Sequence, residues 1–123
     1  MRKTILTGAS LIALAASPAF AQSTSDVNQQ GDGNSATVTQ ENSNSVDIDQ
    51  IGNSNIATAD QSGDGNESII EQSGNGPNNA DVTQGGEDSF ADIFQTGNSV
   101  NNTASITQAV SYTHLTLPTK RIV

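Results

Sequence analysis

Glutamine returns along this chain at a nearly constant interval, and this regularity constrains the fold more than any other feature. The series consists of Gln29, Gln40, Gln50, Gln61, Gln72, Gln84, Gln95 and Gln108. Self-similarity at a fixed period is typical of architectures in which one supersecondary unit stacks on the next. A fold for this chain therefore has to give each of these glutamines an equivalent place.

The glutamines belong to a longer unit that occurs four times. Each copy reads Ser or Asn, five residues, Gln, one residue, Gly, a spacer, Asn, one residue, Ala, three residues, Gln. The copies span residues 23–40, 44–61, 66–84 and 89–108. Their length varies only in the Gly-, Asn- and Asp-rich segments, which indicates that insertions are confined to turns while the segments between them keep register.

Each half of a unit has the pattern of a β-strand that ends on its Gln. Counting back in twos from Gln reaches small or β-branched residues, and side chains two apart in a strand share one face. The predicted inward apolar set is Val27, Ala36, Val38, Ile48, Ala57, Ala59, Ile70, Ala80, Val82, Ile93, Ala104 and Ile106. The residues between them form a mixed outward set that includes Asp47, Asp49, Thr58, Asp60, Glu67, Glu71, Asp81 and Thr83.

These patterns predict an all-β fold, a two-sheet β-solenoid of stacked strand-turn-strand repeats with about four rungs. First-half strands are expected to stack into one sheet and second-half strands into the other. Glycines accept positive φ at little steric cost, so the corners are assigned to Gly31, Gly52, Gly74 and Gly97.

An inward amide needs a hydrogen-bond partner, because burying it unpaired is costly. Identical amides on rungs about 4.8 Å apart can bond to the copies above and below them. Besides the eight glutamines, the predicted ladder contains Asn34, Asn55, Asn78 and Asn102, and the residues that open the copies, Ser23, Asn44, Asn66 and Ser89. A slip of one residue would bury Asp and Glu, so the ladder and the alternation together fix the register.

The segment before the repeats has the features of a secretory signal peptide, which we assign to residues 1–21. It has a basic start, an apolar run over residues 5–16, and small residues at Ala19 and Ala21 that predict cleavage before Gln22. The apolar run is too short and too interrupted for a membrane span. The chain has no cysteine, so disulfides cannot stabilise it after export.

The segment after the repeats, residues 110–123, is predicted to be a non-native tail. It contains the only His and Tyr of the chain and no trace of the repeat, and it resembles the translation of a sequencing-library adapter. The alternation in "THLTL" leaves a divergent terminal cap strand as the alternative, since terminal repeats are atypical. No chemistry is therefore assigned to His114 or Lys120.

Composition and charge argue against catalysis and against nucleic-acid binding. With 33% hydrophobic and 3% aromatic residues, the chain cannot build a thick core. All 13 acids lie within residues 22–109, where there is no Lys or Arg, and this sign of charge disfavours a nucleic-acid partner. Acid pairs such as Asp47 and Asp49 are expected to be solvated, without a pocket that would raise a pKa. The sequence thus predicts a protein that is not an enzyme.

Two turns leave calcium binding open as an alternative. Residues 31–34 and 63–66 both read Gly-Asp-Gly-Asn and resemble the calcium-binding turns of secreted nonapeptide-repeat solenoids. Most other corners lack the aspartate, which favours plain turn chemistry. The alternative function is accordingly a calcium-dependent secreted β-solenoid adhesin.

The unit Ser-x5-Gln-x-Gly-x-x-Asn-x-Ala-x3-Gln, over residues 23–108, resembles the repeat of the curlin family, the subunits of bacterial curli. The resemblance implies a functional amyloid without cofactors, in which the glutamines and asparagines form the inward ladder of a cross-β fibre and the four glycines form the corners. It implies export through a curli-type outer-membrane pore of a Gram-negative bacterium and templating by a nucleator or a major subunit. Adhesion, aggregation and biofilm formation are the implied roles of the extracellular fibre.

Physical reasoning adds expectations about assembly. Both ends of a four-rung coil are open sheet edges, which are templates for another copy. We therefore expect the monomer to be largely unfolded and to fold on the fibre end. Repulsion between the acids should oppose this step, so acid, salt or divalent cations should accelerate it.

Overall fold

The computed structural model describes residues 2–7, 11–16, 22–97, 101–109 and 114–120, and all of its regular elements are strands. The strands are β1 (Arg2–Thr7), β2 (Leu11–Ala16), β3 (Thr24–Gln30), β4 (Ser35–Gln40), β5 (Ser45–Asn53), β6 (Ile56–Gln61), β7 (Glu67–Asn75), β8 (Asn79–Gln84), β9 (Phe90–Thr96), β10 (Thr103–Gln108) and β11 (His114–Lys120). In this part of the chain no helix is long and apolar enough to cross a membrane.

The strands form two parallel sheets whose order follows the chain in steps of two. The first sheet has the order β1-β3-β5-β7-β9-β11, and the second has the order β10-β8-β6-β4-β2. A rung consists of one strand of the first sheet and the next strand of the second, so the four repeats form the rungs β3–β4, β5–β6, β7–β8 and β9–β10. The prediction of an all-β, two-sheet solenoid of about four rungs is confirmed.

Strand register follows the repeat. In the first sheet Gln50 lies opposite Gln29 on one side and Gln72 on the other. In the second sheet Gln61 lies between Gln40 and Gln84 in the same way. Equivalent positions of successive repeats thus form straight columns along the axis of the coil.

The apolar part of the interior between the sheets consists of Ala, Val and Ile side chains. All twelve residues predicted to point inward are buried, and Val46 and Ala91 join them. The two additional residues share a column of the first sheet with Ser25 and Ser68, which are also buried. The sequence pattern did not reveal this column, because its members alternate between polar and apolar types.

The corners of the first sheet require glycine for two separate reasons. Gly52 has φ +113°, a left-handed conformation that disfavours other residues. A Cβ atom on Gly52 would lie 2.0 Å from the carbonyl oxygen of Gly74, the equivalent glycine of the next rung. Strands β5 and β7 continue through these two glycines, so the corner is a kink within a strand rather than a turn after it.

Both terminal segments also contribute strands to the sheets. β1 pairs with β3 and β2 pairs with β4, so residues from the predicted signal peptide continue the coil at its N-terminal end. β11, from the predicted non-native tail, pairs with β9. Removal of residues 1–21 and the foreign origin of residues 110–123 remain predictions from the sequence.

Candidate functional site

The first sheet contains a continuous ladder of glutamine amides. Gln29 Nε2 donates to Gln50 Oε1 at 2.6 Å, Gln50 Nε2 donates to Gln72 Oε1 at 2.8 Å, and Gln72 Nε2 donates to Gln95 Oε1 at 2.8 Å. All four side chains are at most 1% exposed. Gln50 and Gln72 therefore each accept from one neighbour and donate to the other, and the amides of the column share one orientation.

The second sheet contains a matching ladder. Gln40 Nε2 donates to Gln61 Oε1 at 3.1 Å, Gln61 Nε2 donates to Gln84 Oε1 at 2.7 Å, and Gln84 Nε2 donates to Gln108 Oε1 at 2.8 Å. The two ladders run in the same axial direction, because in both of them the donor belongs to the earlier repeat.

The second amide hydrogen of these glutamines joins the two sheets. Gln72 Nε2 donates to the carbonyl oxygen of Ile56 in the second sheet at 2.9 Å, and Gln61 Nε2 donates to that of Ser45 in the first sheet at 3.1 Å. Equivalent bonds connect Gln50 to Ser35 and Gln84 to Glu67. Each of these residues thus ties neighbouring rungs together and ties one sheet to the other.

The asparagines that follow the first-sheet strands mix two kinds of contact. Asn78 Nδ2 donates to Asn55 Oδ1 at 2.8 Å, and Asn102 Nδ2 donates to Asn78 Oδ1 at 2.9 Å, as a side-chain ladder requires. Asn34 instead accepts from the backbone N–H of Asn55 at 3.0 Å and donates to the carbonyl oxygen of Gly52 at 2.9 Å. This column therefore anchors the corner backbone as well as stacking on itself.

The residues that open the repeats anchor the opposite corners. Asn44 Oδ1 accepts from the backbone N–H of Asn66 at 2.9 Å, and Asn66 Oδ1 accepts from that of Ser89 at 3.0 Å. Ser23 donates through its hydroxyl to the carbonyl oxygen of Asn42. In this column the structure brings together side chains and the backbone of the next rung, rather than amide with amide.

The N-terminal end of the first ladder has an unpaired acceptor. The neighbour of Gln29 in β1 is Leu6, which cannot donate a hydrogen bond through its side chain. Gln29 Oε1 is buried and has no hydrogen-bond partner. The rung formed by β1 and β2 therefore continues the backbone pairing but not the ladder of the first sheet.

The outward faces of the two sheets differ in charge, although the sequence pattern treated them as one mixed set. The face of β3, β5, β7 and β9 carries six acids, namely Asp26, Asp47, Asp49, Glu67, Glu71 and Asp92. The face of β4, β6, β8 and β10 carries two, Asp60 and Asp81, together with eight hydroxyl residues, namely Ser35, Thr37, Thr39, Thr58, Thr83, Thr103, Ser105 and Thr107. The remaining acids lie at the corners.

Crowding on the first-sheet face affects two carboxyls. Partial burial raises the pKa of Asp47 above its ordinary value, and the neighbouring charges of Asp26 and Asp49 raise it further. Partial burial also raises the pKa of Asp49, which accepts a hydrogen bond from Asn28 at 3.2 Å. The expectation that nothing on this face would raise a pKa was wrong, because the side chains of adjacent rungs shield these carboxyls from water.

The two Gly-Asp-Gly-Asn turns, for which calcium binding was the alternative, do not bring several carboxylates together. Asp64 Oδ1 accepts a hydrogen bond from the backbone N–H of Ser43 at 3.2 Å, a contact that joins this turn to the corner of the preceding rung. Over the residues for which the structure gives positions, no group of three or more His, Cys, Asp or Glu side chains is arranged to hold a metal ion.

The structure thus has buried amide columns in two parallel sheets, with one rung per repeat. Residues 42–74, which contain the second repeat and the beginning of the third, match the family model of the curlin associated repeat. This part of the chain is a curlin repeat. The family indicated by the sequence resemblance is thereby confirmed. Comparisons with curated proteins and with solved structures gave no match.

Proposed function

We propose that this curlin-repeat chain is a structural subunit of a curli-like functional amyloid fibre. The observation that carries the proposal is the pair of glutamine ladders, in which every amide bonds in the same axial direction. Such ladders have no natural end within one chain. Without β11, which belongs to the predicted non-native tail and covers β9, a second copy stacked on the end rung extends both of them without new kinds of contact.

The buried acceptor at the N-terminal end identifies what a neighbouring copy supplies. Once residues 1–21 are removed, β3 and β4 form an open edge whose Gln29 Oε1 lacks a donor. A glutamine of an adjoining rung donates through Nε2 in the same way as Gln29 donates to Gln50. Exposed parallel edges are templates for strand addition, and the glutamine columns select the register of the added strand.

The thin interior explains why assembly and folding are coupled in this proposal. The buried apolar side chains are Ala, Val and Ile, and no disulfide supplements them, because the chain has no cysteine. A chain of this size buries too little apolar surface to offset its conformational entropy by a wide margin. The monomer is therefore largely unfolded and folds as it joins a fibre end.

The biological setting extends the same proposal. The predicted signal peptide directs export, and a curli-type outer-membrane pore passes the unfolded chain to the surface of a Gram-negative cell. A nucleator or a major subunit provides the first template. The fibre then contributes to cell adhesion, aggregation and the biofilm matrix as a structural element rather than as an enzyme.

The proposal is tested by incubating residues 23–109, which lack both the predicted signal peptide and the predicted tail that supplies β11, near pH 5 in the absence of calcium. Fibres with a meridional spacing near 4.7 Å and an equatorial spacing near 10 Å are the expected result, because these are the inter-strand and inter-sheet distances. A monomer that stays soluble and becomes ordered only when calcium is added would contradict it and favour the adhesin alternative.

A further inference from the structure

The outward face of the second sheet is rich in hydroxyl groups. Its three columns of side chains are Ser35-Ile56-Asn79-Thr103, Thr37-Thr58-Asp81-Ser105 and Thr39-Asp60-Thr83-Thr107. Ten of these twelve residues are exposed and the other two are half-buried. Nothing in the interior of the coil requires hydroxyl groups at these outward positions.

We propose that this hydroxyl face is a lateral interface through which two fibres of this chain pair. The inference rests on the proposed fibre, and the partner is a second copy of the same face. Eight of the twelve side chains are short Ser or Thr, which allows two such faces to approach closely and interdigitate, as in dry interfaces between paired sheets.

Charge selects this face over the other one. Two copies of the hydroxyl face place two acids against two in each pair of subunits, whereas two copies of the first-sheet face would place six against six. Residues 22–109 contain no Lys or Arg that could offset this repulsion. Since like charges on opposed surfaces disfavour association, pairing through the first sheet is strongly disfavoured at neutral pH.

The two acids of the hydroxyl face have donors available across the interface. Asp60 lies between Thr39 and Thr83 in its column, and Asp81 lies between Thr58 and Ser105. Apposition of two faces brings hydroxyl groups of one copy to the carboxylates of the other. Hydrogen bonds from hydroxyl to carboxylate are among the stronger ones in proteins, so these residues can be accommodated at the interface.

The area of the face makes pairing depend on fibre length. Three columns about 7 Å apart and four rungs about 4.8 Å apart give a patch of roughly 400 Å² per subunit. A stable interface needs about 800 Å² per partner, so single solenoids do not pair, whereas two or more stacked subunits reach the required area. Lateral pairing therefore follows elongation and does not precede it.

The test compares two double variants of the chain that change the net charge equally. Asp60→Asn with Asp81→Asn removes both acids from the hydroxyl face, and Asp26→Asn with Asp92→Asn removes two acids from the first-sheet face. Mass per unit length, measured by scanning transmission electron microscopy at pH 7, separates single fibres from pairs. Single fibres contain one subunit per about 19 Å and paired fibres contain two, because four rungs occupy that length.

The first double variant is expected to raise the paired fraction several-fold over the unaltered chain, and the second is expected to leave it unchanged. Thr39→Glu with Thr83→Glu should reduce pairing and still give single fibres, since both side chains are exposed. Equal pairing in the two asparagine variants, or unchanged pairing in the glutamate variant, would overturn the inference about the hydroxyl face. In either case the formation of single fibres would still support the proposed function. Absence of fibres from the unaltered chain would contradict both.

Discussion

Replacing Gln72 by leucine tests the ladder where it is fully enclosed. Gln72 is 1% exposed, accepts from Gln50 at 2.8 Å, and donates to Gln95 at 2.8 Å and to the backbone of Ile56 at 2.9 Å. Leucine fills a similar volume, so Gln72→Leu removes hydrogen bonds without leaving a large cavity.

The expected loss in stability of the assembled state follows from the three lost hydrogen bonds and from the buried groups that they leave unpaired. Net contributions of about 0.5–1.5 kcal/mol per bond, with about 1–3 kcal/mol for each buried partner left unpaired, give roughly 3–5 kcal/mol after the apolar gain of leucine is offset. At about 1.4 kcal/mol per factor of ten, the critical concentration for assembly should rise by about 10²- to 4 × 10³-fold.

The assay measures the concentration of soluble chain that remains after assembly has reached equilibrium. Gln30→Leu is the matched control, because Gln30 is an exposed first-sheet residue whose side chain lies outside the ladder. The control should assemble like the unaltered chain. A critical concentration for Gln72→Leu within about threefold of the control would refute the ladder as the main determinant of assembly.

Three further perturbations test the corner, the interior and the charged face. Gly52→Ala should raise the critical concentration at least tenfold, because its Cβ would lie 2.0 Å from a carbonyl oxygen and φ is +113°. The control Gly85→Ala should have little effect, because the nearest atom is 3.7 Å from the added Cβ. Equal effects of the two substitutions would contradict this prediction. Ser68→Ala should leave assembly unchanged or stabilise the assembled state by up to about 1 kcal/mol, since the buried hydroxyl of Ser68 has no hydrogen-bond partner. A clear rise in the critical concentration would instead reveal a hydrogen bond at that hydroxyl. Assembly should become more favourable as pH falls from 7. The pKa values of Asp47 and Asp49 are raised in the folded chain, so the assembled state binds protons more tightly than the free chain does. The stability of the assembled state therefore increases as pH falls through those pKa values and levels off below the ordinary carboxyl pKa. Asp47→Asn with Asp49→Asn should weaken this dependence, and an unchanged growth rate between pH 7 and about pH 4.5 in the unaltered chain would show that the acids do not oppose assembly.

The repeat predicts most of the architecture because each position has one role that recurs on every rung. Alignment on the glutamines gives the observed register, in which Gln50 lies between Gln29 and Gln72. The alternation of small and polar residues separates the interior from the surface for the same reason. The predicted ends of the first-sheet strands were less accurate. The sequence pattern ends each strand at its glutamine, whereas β5 continues past Gln50 to Asn53.

Other features depend on the path of the backbone, which a residue pattern does not contain. Asn34 and Asn44 bond mainly to backbone groups because the corner brings a carbonyl or an N–H closer than the next amide. The different charges of the two faces emerge only when alternate strands are assigned to separate sheets. The first-sheet column that includes Ser68 and Ala91 was missed because its members share neither size nor polarity.

The most direct test of the account is a distance between identical atoms in neighbouring subunits of the fibre. The chain is labelled with ¹³C at the methyl group of Ala57 alone, a buried position in the second rung, and dipolar couplings are measured by solid-state NMR. Stacked four-rung solenoids place the nearest labels about 19 Å apart, so no measurable coupling is predicted. A coupling that corresponds to about 4.8 Å would show that each chain forms one layer of an in-register stack, which contradicts a solenoid in which one chain supplies all four rungs.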